Sequence, residues 1–322
     1  MLHRRLLSAF VLITVSLILI GLDLWFPIAG QLGVWMIPLY LFMTLGTAAE
    51  MSQLLAKRWP VEVRSVLIHC CIASALMLFP IWYSLVMRMS YPIDCPVGRT
   101  GWLLIGVLSG VGSSGLEAMW KFQKVSSSLS VSEAAEPMRE GEAASETERT
   151  ILAWSLSSFV ITYVVGCLSF WFLVRMVGES FSGMLHLIAL LAIIKFADAG
   201  AYFAGKKFGR HKLIMSISPG KTIEGLIGGM LASIVIAYLF LRLLLPLCGV
   251  PCGPWIWGPA LLGCLLTMVG LVGDLLESMV KRTVGAKDSG ALLPGLGGVW
   301  DVTDSLLPTA IIGYLGIIAK LT

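Results

Sequence analysis

LLLPLCGVPCGPWIWGPALLGCLLTMVGLVG, residues 243–273, runs 31 residues without an Asp, Glu, Lys or Arg. A helix needs about 20 apolar residues to cross the hydrocarbon of a bilayer, so this stretch exceeds one span before Asp274 ends it. The same pattern repeats outward along the chain. Residues 6–22, 24–49, 65–87, 100–116, 150–174, 180–194, 225–241 and 305–319 are also free of charge. Of the 322 residues, 57% are hydrophobic and only 13% charged, with a mean hydropathy of +0.88. Soluble domains carry about 25% charged residues, so this chain could not cover a water-facing surface, and its apolar content excludes disorder. The pattern predicts an all-α polytopic membrane protein with about nine transmembrane helices.

Charge position orients the spans. With a cytoplasmic N-terminus, seventeen of the 23 Lys and Arg fall on inner segments: Arg4 and Arg5, then Lys57, Arg58 and Arg64, then Lys121, Lys124, Arg139 and Arg149. Lys206, Lys207, Arg210, Lys212, Lys221, Lys281, Arg282 and Lys287 complete that set, whereas the outer segments hold only Arg88, Arg99, Arg175 and Lys320. The inverted arrangement would place the excess outside, against the positive-inside rule. The first apolar run is one of many and reads as a retained anchor. Topology and the lack of a transit-peptide pattern point to a bacterial-type cytoplasmic (inner) membrane. The net charge of +4 is too small to argue for nucleic acid. The seven cysteines show no C-x-x-C spacing and read as small apolar filler, although Cys95, Cys248 and Cys252 fall on the outer side, where a disulfide could form.

Residues 125–149 hold six glutamates and no aromatic residue, a composition that cannot bury a core and predicts a flexible cytoplasmic linker. It divides N-terminal transmembrane helices (1–124) from a C-terminal transmembrane catalytic domain (150–322). Only in the second half do polar residues enter the membrane in numbers, at a cost of about 2.5–3.5 kcal/mol per charge at a helix centre on insertion scales.

Three clusters stand out there. Lys195, Asp198, Tyr202 and Gly205 stack on one helical face among small residues; the bland alternative is a Lys195–Asp198 pair that satisfies itself. Ser218-Pro-Gly-Lys221-Thr222-Ile-Glu224-Gly225 opens a span, where backbone N–H groups and the helix dipole suit phosphate. Lys221 snorkelling at an ordinary helix start would look the same, and no P-loop pattern is present. Third, Asp274, Glu277, Ser278 and Lys281 form a polar stripe on an apolar helix, followed by Arg282, Lys287, Asp288, a glycine-rich turn at 294–298, and Asp301 and Asp304. Converging carboxylates in a partly dry site repel unless a cation intervenes; magnesium takes hard oxygen ligands and bridges carboxylates to phosphates. The adjacent basic residues supply donors for phosphate oxygens. These residues describe a polytopic enzyme with a cytoplasm-facing, magnesium-dependent phosphate site, without naming its substrate.

The third cluster, Ser278-Met-Val-Lys281-Arg282 … Lys287-Asp288-Ser-Gly290 … Leu293-Pro-Gly-Leu-Gly297-Gly298-Val-Trp-Asp301-Val-Thr-Asp304, resembles the signature of the phosphatidate cytidylyltransferases, or CDP-diacylglycerol synthases. The blocks at 198–205 and 218–225 are similar to that family's other two, and the resemblance covers roughly residues 195–308. Two positions depart from it: Leu296 stands where the family usually has His, and Val302 where it usually has Arg. The resemblance implies transfer of the cytidylyl group of CTP to phosphatidate, giving CDP-diacylglycerol and pyrophosphate for phospholipid biosynthesis. It further implies Asp274 and Asp301 as magnesium ligands, with room for a second cation, and a homodimer. Lys281 is the expected catalytic cation. Ser218, Lys221, Thr222, Ser278, Arg282 and Lys287 are expected on substrate phosphates, with Asp198, Tyr202, Asp288 and Asp304 positioning substrate. The alternatives are a CTP-dependent polyprenol kinase, which moves the γ-phosphoryl group, and an ion-coupled transporter. Transporters often show internal repeats, and this chain has no second copy of its motifs.

Overall fold

A computed structural model describes residues 2–28, 30–89, 91–92, 94–132, 140–178, 180–295 and 297–322. The apolar runs become helices because backbone groups in hydrocarbon must be satisfied within their own segment. The first half contains α1 (Leu2–Trp25), α2 (Ile37–Ala56), α3 (Val63–Met77), α4 (Phe79–Met87) and α5 (Gly98–Ser132). In the second half, α6 (Glu140–Val160) widens into one π-helical stretch, Ile161–Gly166, and continues as α7 (Cys167–Arg175). There follow α8 (Ser180–Phe208), β1 (Lys212–Ile214), β2 (Ser218–Thr222), α9 (Ile223–Tyr238) and α10 (Leu245–Leu247). The chain ends with α11 (Gly258–Thr283), α12 (Trp300–Thr303) and α13 (Leu306–Ile318). Among the described residues, eight helices are long and apolar enough to cross a membrane, and nine when α3 and α4 count as one span bent by 56°. Pro80 explains that bend: it has no N–H to donate, and its ring would clash with the carbonyl one turn earlier. The protein is an all-α polytopic membrane protein; the described residues also include a 3-10 turn at Val34–Met36, a second π-helical stretch at Leu239–Leu244 and the short β1–β2 hairpin, paired antiparallel with Lys212 opposite Thr222.

Lipid-facing and protein-facing surfaces separate clearly. Phe10 and Leu17 of α1, Leu231 and Val235 of α9, and Val272 of α11 are exposed, whereas Met51, Ile161, Leu190, Leu262 and Trp300 are fully buried. Polar ties run through that interior. The Tyr40 hydroxyl lies 3.1 Å from Ser169 Oγ and 3.4 Å from Ser74 Oγ, joining α2, α7 and α3. Asp23 and Arg175 form an ion pair with exposures of 0% and 1%. Arg175 Nε donates to Asp23 Oδ2 at 2.7 Å, and the Gly33 amide donates to Oδ1 at 2.8 Å.

The tightest helix pair is α8 with α9. A Cβ on Gly228 would overlap Ala204, and one on Gly200 would overlap Ala232; these small residues let the two backbones touch. Arg58, just past α2, donates to the Thr283 carbonyl at the end of α11 at 3.2 Å, so two segments read as inner lie on the same side of the helix array. Residues 125–132 continue α5 and 140–149 begin α6, while 133–139, the middle of the expected linker, lie outside the described residues.

Candidate active site

On α11, Asp274, Glu277, Ser278 and Lys281 do share one face, as their spacing requires. Lys281 Nζ lies 3.1 Å from Glu277 Oε2 and 2.9 Å from Asp301 Oδ1. Asp301, in α12, is fixed on its other oxygen as well. Oδ2 accepts from the Gly298 amide at 2.6 Å, the Ser289 amide at 3.1 Å and the Ser289 hydroxyl at 2.9 Å. The glycine-rich turn makes this geometry. Leu293 and Gly297 exchange two backbone hydrogen bonds of 3.1 Å, and Gly295 and Gly297 take positive φ (84° and 100°), a region open to glycine without steric cost.

The hairpin supplies the facing wall. Lys221 Nζ on β2 meets Asp274 Oδ2 at 2.7 Å. Thr222 caps α9, its hydroxyl accepting from the Gly225 amide at 3.1 Å. Glu224 is committed to structure: it accepts from the Arg210 and His211 amides and lies 2.6 Å from His211 Nδ1, holding the turn that leaves α8. On α8, Lys195 lies 3.7 Å from Asp198 and donates to Ser305 Oγ at 3.4 Å, so the two are paired and Lys195 also reaches the start of α13.

These pieces enclose a cavity of about 640 Å³ lined by Asp198, Tyr202, Ser218, Lys221, Thr222, Asp274, Asp301 and Asp304. Three sequence blocks, far apart in the chain, therefore form one site. Lys195, Lys206 and Lys212 line it too, which adds three cations to Lys221. Lys281 stands behind Asp301, and Ser278 makes a long contact of 3.4 Å to Asp274. Arg282, Lys287 and Asp288 are exposed and outside the lining. Val302 is partly buried in α12, and Leu296 lies outside the described residues.

The residues fit a hard divalent cation. Oxygens of Asp274, Glu277 and Asp304 all lie within 4.8 Å of one another. Glu277 is 2% exposed, and its Oε1 has no hydrogen-bond partner, a costly arrangement unless something positive completes it. Of the two ligands the resemblance implies, Asp274 belongs to this convergent group. Asp301 lines the same cavity, with Oδ1 on Lys281 and Oδ2 on the three Ser289 and Gly298 donors.

Several residues at this site were missed from sequence, among them Lys206 and Lys212 of the lining, Ser289 and Glu50. Glu50 of α2 is 2% exposed, and its Oε2 accepts from the Trp300 amide and the Ser289 hydroxyl, each at 2.9 Å. Its only sequence signal was that it ends the charge-free run 24–49.

Fold and site together define an α-helical, multi-pass membrane protein whose spans enclose a cavity of carboxylates and lysines fit for phosphate and a divalent cation. The chain belongs to the cytidylyltransferase family, whose model matches residues 3–318. Over 138 residues it is 41% identical to a phosphatidate cytidylyltransferase of Brucella suis, covering 43% of this chain and 48% of that protein. The phosphatidate cytidylyltransferase of Synechocystis is 43% identical over 148 residues, 44% of this chain and 45% of the relative. The uncharacterized protein YnbB of Escherichia coli is 36% identical over 157 residues, 49% of each chain. In these alignments the chain spans about half the length of the curated relatives it matches.

Proposed function

We propose that the protein transfers the cytidylyl group of CTP to phosphatidate, yielding CDP-diacylglycerol and pyrophosphate for phospholipid synthesis. The observation that carries this reading is the convergence of Asp274, Glu277 and Asp304, with Asp274 and Asp304 lining the same cavity as Lys221 and Glu277 buried behind them. Phosphatidate presents its phosphate at the membrane interface, and CTP brings a polyanion from water. A cavity cut into the ends of the helices is open to both.

In the proposed reaction an oxygen of the phosphatidate phosphate attacks the α-phosphorus of CTP in line. The new O–P bond forms as the bond to the β-phosphate bridging oxygen breaks, and pyrophosphate leaves with that electron pair. No general base is required, because a phosphomonoester is already ionised near neutral pH (second pKa about 6). Lys221, which lines the cavity, would bind phosphate oxygens, and Lys281, behind Asp301, would hold that carboxylate in place. Ser218 and Thr222, with Tyr202 and Asp198 on the facing helix, position the nucleotide and lipid phosphates; Ser278 steadies Asp274. Exposed Arg282, Lys287 and Asp288 serve incoming substrate at the rim. Asp274, Glu277 and Asp304 would hold magnesium, with Asp301, kept in place by Lys281, as the further ligand that the family resemblance implies. When bound, the ion would neutralise charge developing on the α-phosphate and on the leaving pyrophosphate. A second cation beside the first remains part of the proposal, as the family resemblance implies. The positive-inside charge pattern supports a bacterial-type inner membrane, a cytoplasmic N-terminus and a site facing the cytoplasm; a homodimer is the proposed assembly.

Labelled CTP tests the reading. Purified protein in phosphatidate micelles should move label from the α position, and not from the γ position, into lipid. Label from the γ position in lipid would mean a kinase and overturn it.

A further inference from the structure

The N-terminal half reaches the signature loop at two places: Ser8 of α1 donates to the Pro294 carbonyl at 2.7 Å, and one face of α2 packs against the start of α12. A Cβ on Gly46 would lie 2.9 to 3.2 Å from the Val299 side chain, and the Thr47 and Thr303 hydroxyls are 2.8 Å apart. One turn on, Glu50 enters the signature loop. Its Oε2 takes the Trp300 amide, at the first residue of α12, and the Ser289 hydroxyl, which also lies 2.9 Å from Asp301 Oδ2.

Two glycines of the loop bear on why a carboxylate sits there. Gly290 and Gly298 do not have positive φ, unlike Gly285, Gly295 and Gly297. Backbone freedom therefore does not require glycine at either position. What does is Glu50, because a Cβ on Gly290 or on Gly298 would overlap its carboxylate. The loop is pared down at two positions to admit one buried acidic group from another helix. A buried carboxylate is costly among spans, and an apolar side chain could have filled the space without the cost.

We infer that Glu50 is a positioning residue for the transfer reaction, acting through Ser289 and the Trp300 amide to hold Asp301 against Lys281. The inference rests on the proposed cytidylyl transfer. Glu50 pins the loop from one side and the start of α12 from the other, so the Asp301 carboxylate has one place to be. Without it, the Trp300 amide loses its buried acceptor, and the Ser289 hydroxyl, whose single proton is shared between Glu50 Oε2 and Asp301 Oδ2, no longer ties the loop to α2, so Asp301 can shift on Lys281. Small displacements of this kind act on turnover more than on binding, since a misplacement of about 1 Å can cost about a hundredfold in rate.

The test uses the full chain, purified in phosphatidate micelles with α-labelled CTP. E50A should lower kcat by about 30-fold or more with KM for CTP within about threefold, as expected for a group that positions rather than binds. E50Q keeps an acceptor oxygen and should return kcat to within about fivefold of wild type. T47V loosens the same α2–α12 contact without touching Ser289 or Trp300, and should keep wild-type kcat. E50A at wild-type kcat overturns the inference, as does loss of kcat in E50A and T47V in step with loss of folded protein. Should E50A fail to accumulate, S289A removes the bridge from the other side: a kcat-selective loss supports the inference, and wild-type kcat refutes it. A wild-type chain that transfers no label would sink the cytidylyl reading itself, a result distinct from an active wild type with an indifferent Glu50.

Discussion

Lys221 on the hairpin and Asp274 on α11 meet at 2.7 Å across the cavity, joining two sequence blocks that read separately as phosphate-binding and metal-binding. Each neutralises the other while substrate is absent. When an anionic phosphate arrives with a divalent cation, both charges acquire new partners. The site is thus held ready by an internal exchange of the charges it will later use.

Two substitutions divide the roles of that pair. D274N should lower kcat by about a hundredfold or more with the protein still folded in membranes, because an acceptor at the convergent cluster loses its charge. K221A should act on kcat/KM for CTP, by about 10- to 100-fold, the equivalent of one charged hydrogen bond of about 1.5–3 kcal/mol. Steady-state kinetics on both variants checks the split, and near-normal magnesium-dependent turnover in D274N would remove that residue from the cluster.

Glu277 gives a test of the cation. Chelation should abolish activity and added magnesium should restore it. E277Q should raise the magnesium concentration for half-maximal activity by about tenfold or more, since a charged oxygen is lost from a buried donor set. A magnesium titration of wild type and variant reads this directly, and an unchanged midpoint would place Glu277 outside the donor set.

Packing of α8 on α9 predicts a steric effect. Gly228→Leu forces a side chain into Ala204 and should destabilise by about 1–3 kcal/mol or separate the helices. Separation would draw Asp198 and Tyr202 away from Lys221. Loss of activity with a lowered thermal midpoint is the expected outcome; a variant of wild-type stability and activity would contradict the close approach.

The part of this chain that was legible in its sequence, and the part that was not, follow from what each signal measures. The runs without charge report the solvent around a helix, so the spans could be read. They carry no information on curvature, so the 56° bend at Pro80 and the π-helical stretch at Ile161–Gly166 were not. Residues 218–222 read as the opening of a helix, because Ser, Gly, Lys and Thr suit one. They form a strand instead, with Thr222 alone serving as the cap. The site clusters were visible because their polar residues recur at helical spacing inside apolar runs. Glu50 was not, because one acidic residue at the end of a run looks like any interfacial charge. Its meaning lies in a contact with Ser289 and Trp300, far along the chain.

A further prediction concerns the segment left between α5 and α6. Deleting residues 133–139 should leave kcat within about twofold of wild type, as expected of a polar segment whose sequence carries none of the site motifs. Loss of turnover in that deletion would give the segment a role in catalysis.

The buried pair of Asp23 and Arg175 should respond to removal of its cation. R175M alone should cost about 3–5 kcal/mol by leaving the buried Asp23 carboxylate without its cation, and adding D23N should recover part of the loss. Unfolding of R175M, D23N and the double variant in detergent measures it, and additive losses would deny the coupling.

That same pair sets an order of events during synthesis. Asp23 sits at the end of the first helix, and its partner is the last residue of α7, with five helices made in between. Until residue 175 is made, this acidic side chain lacks the cation it meets in the folded protein. The first helix is therefore made well before it can form this contact, and its docking against α7 waits for the chain to pass the middle of its length.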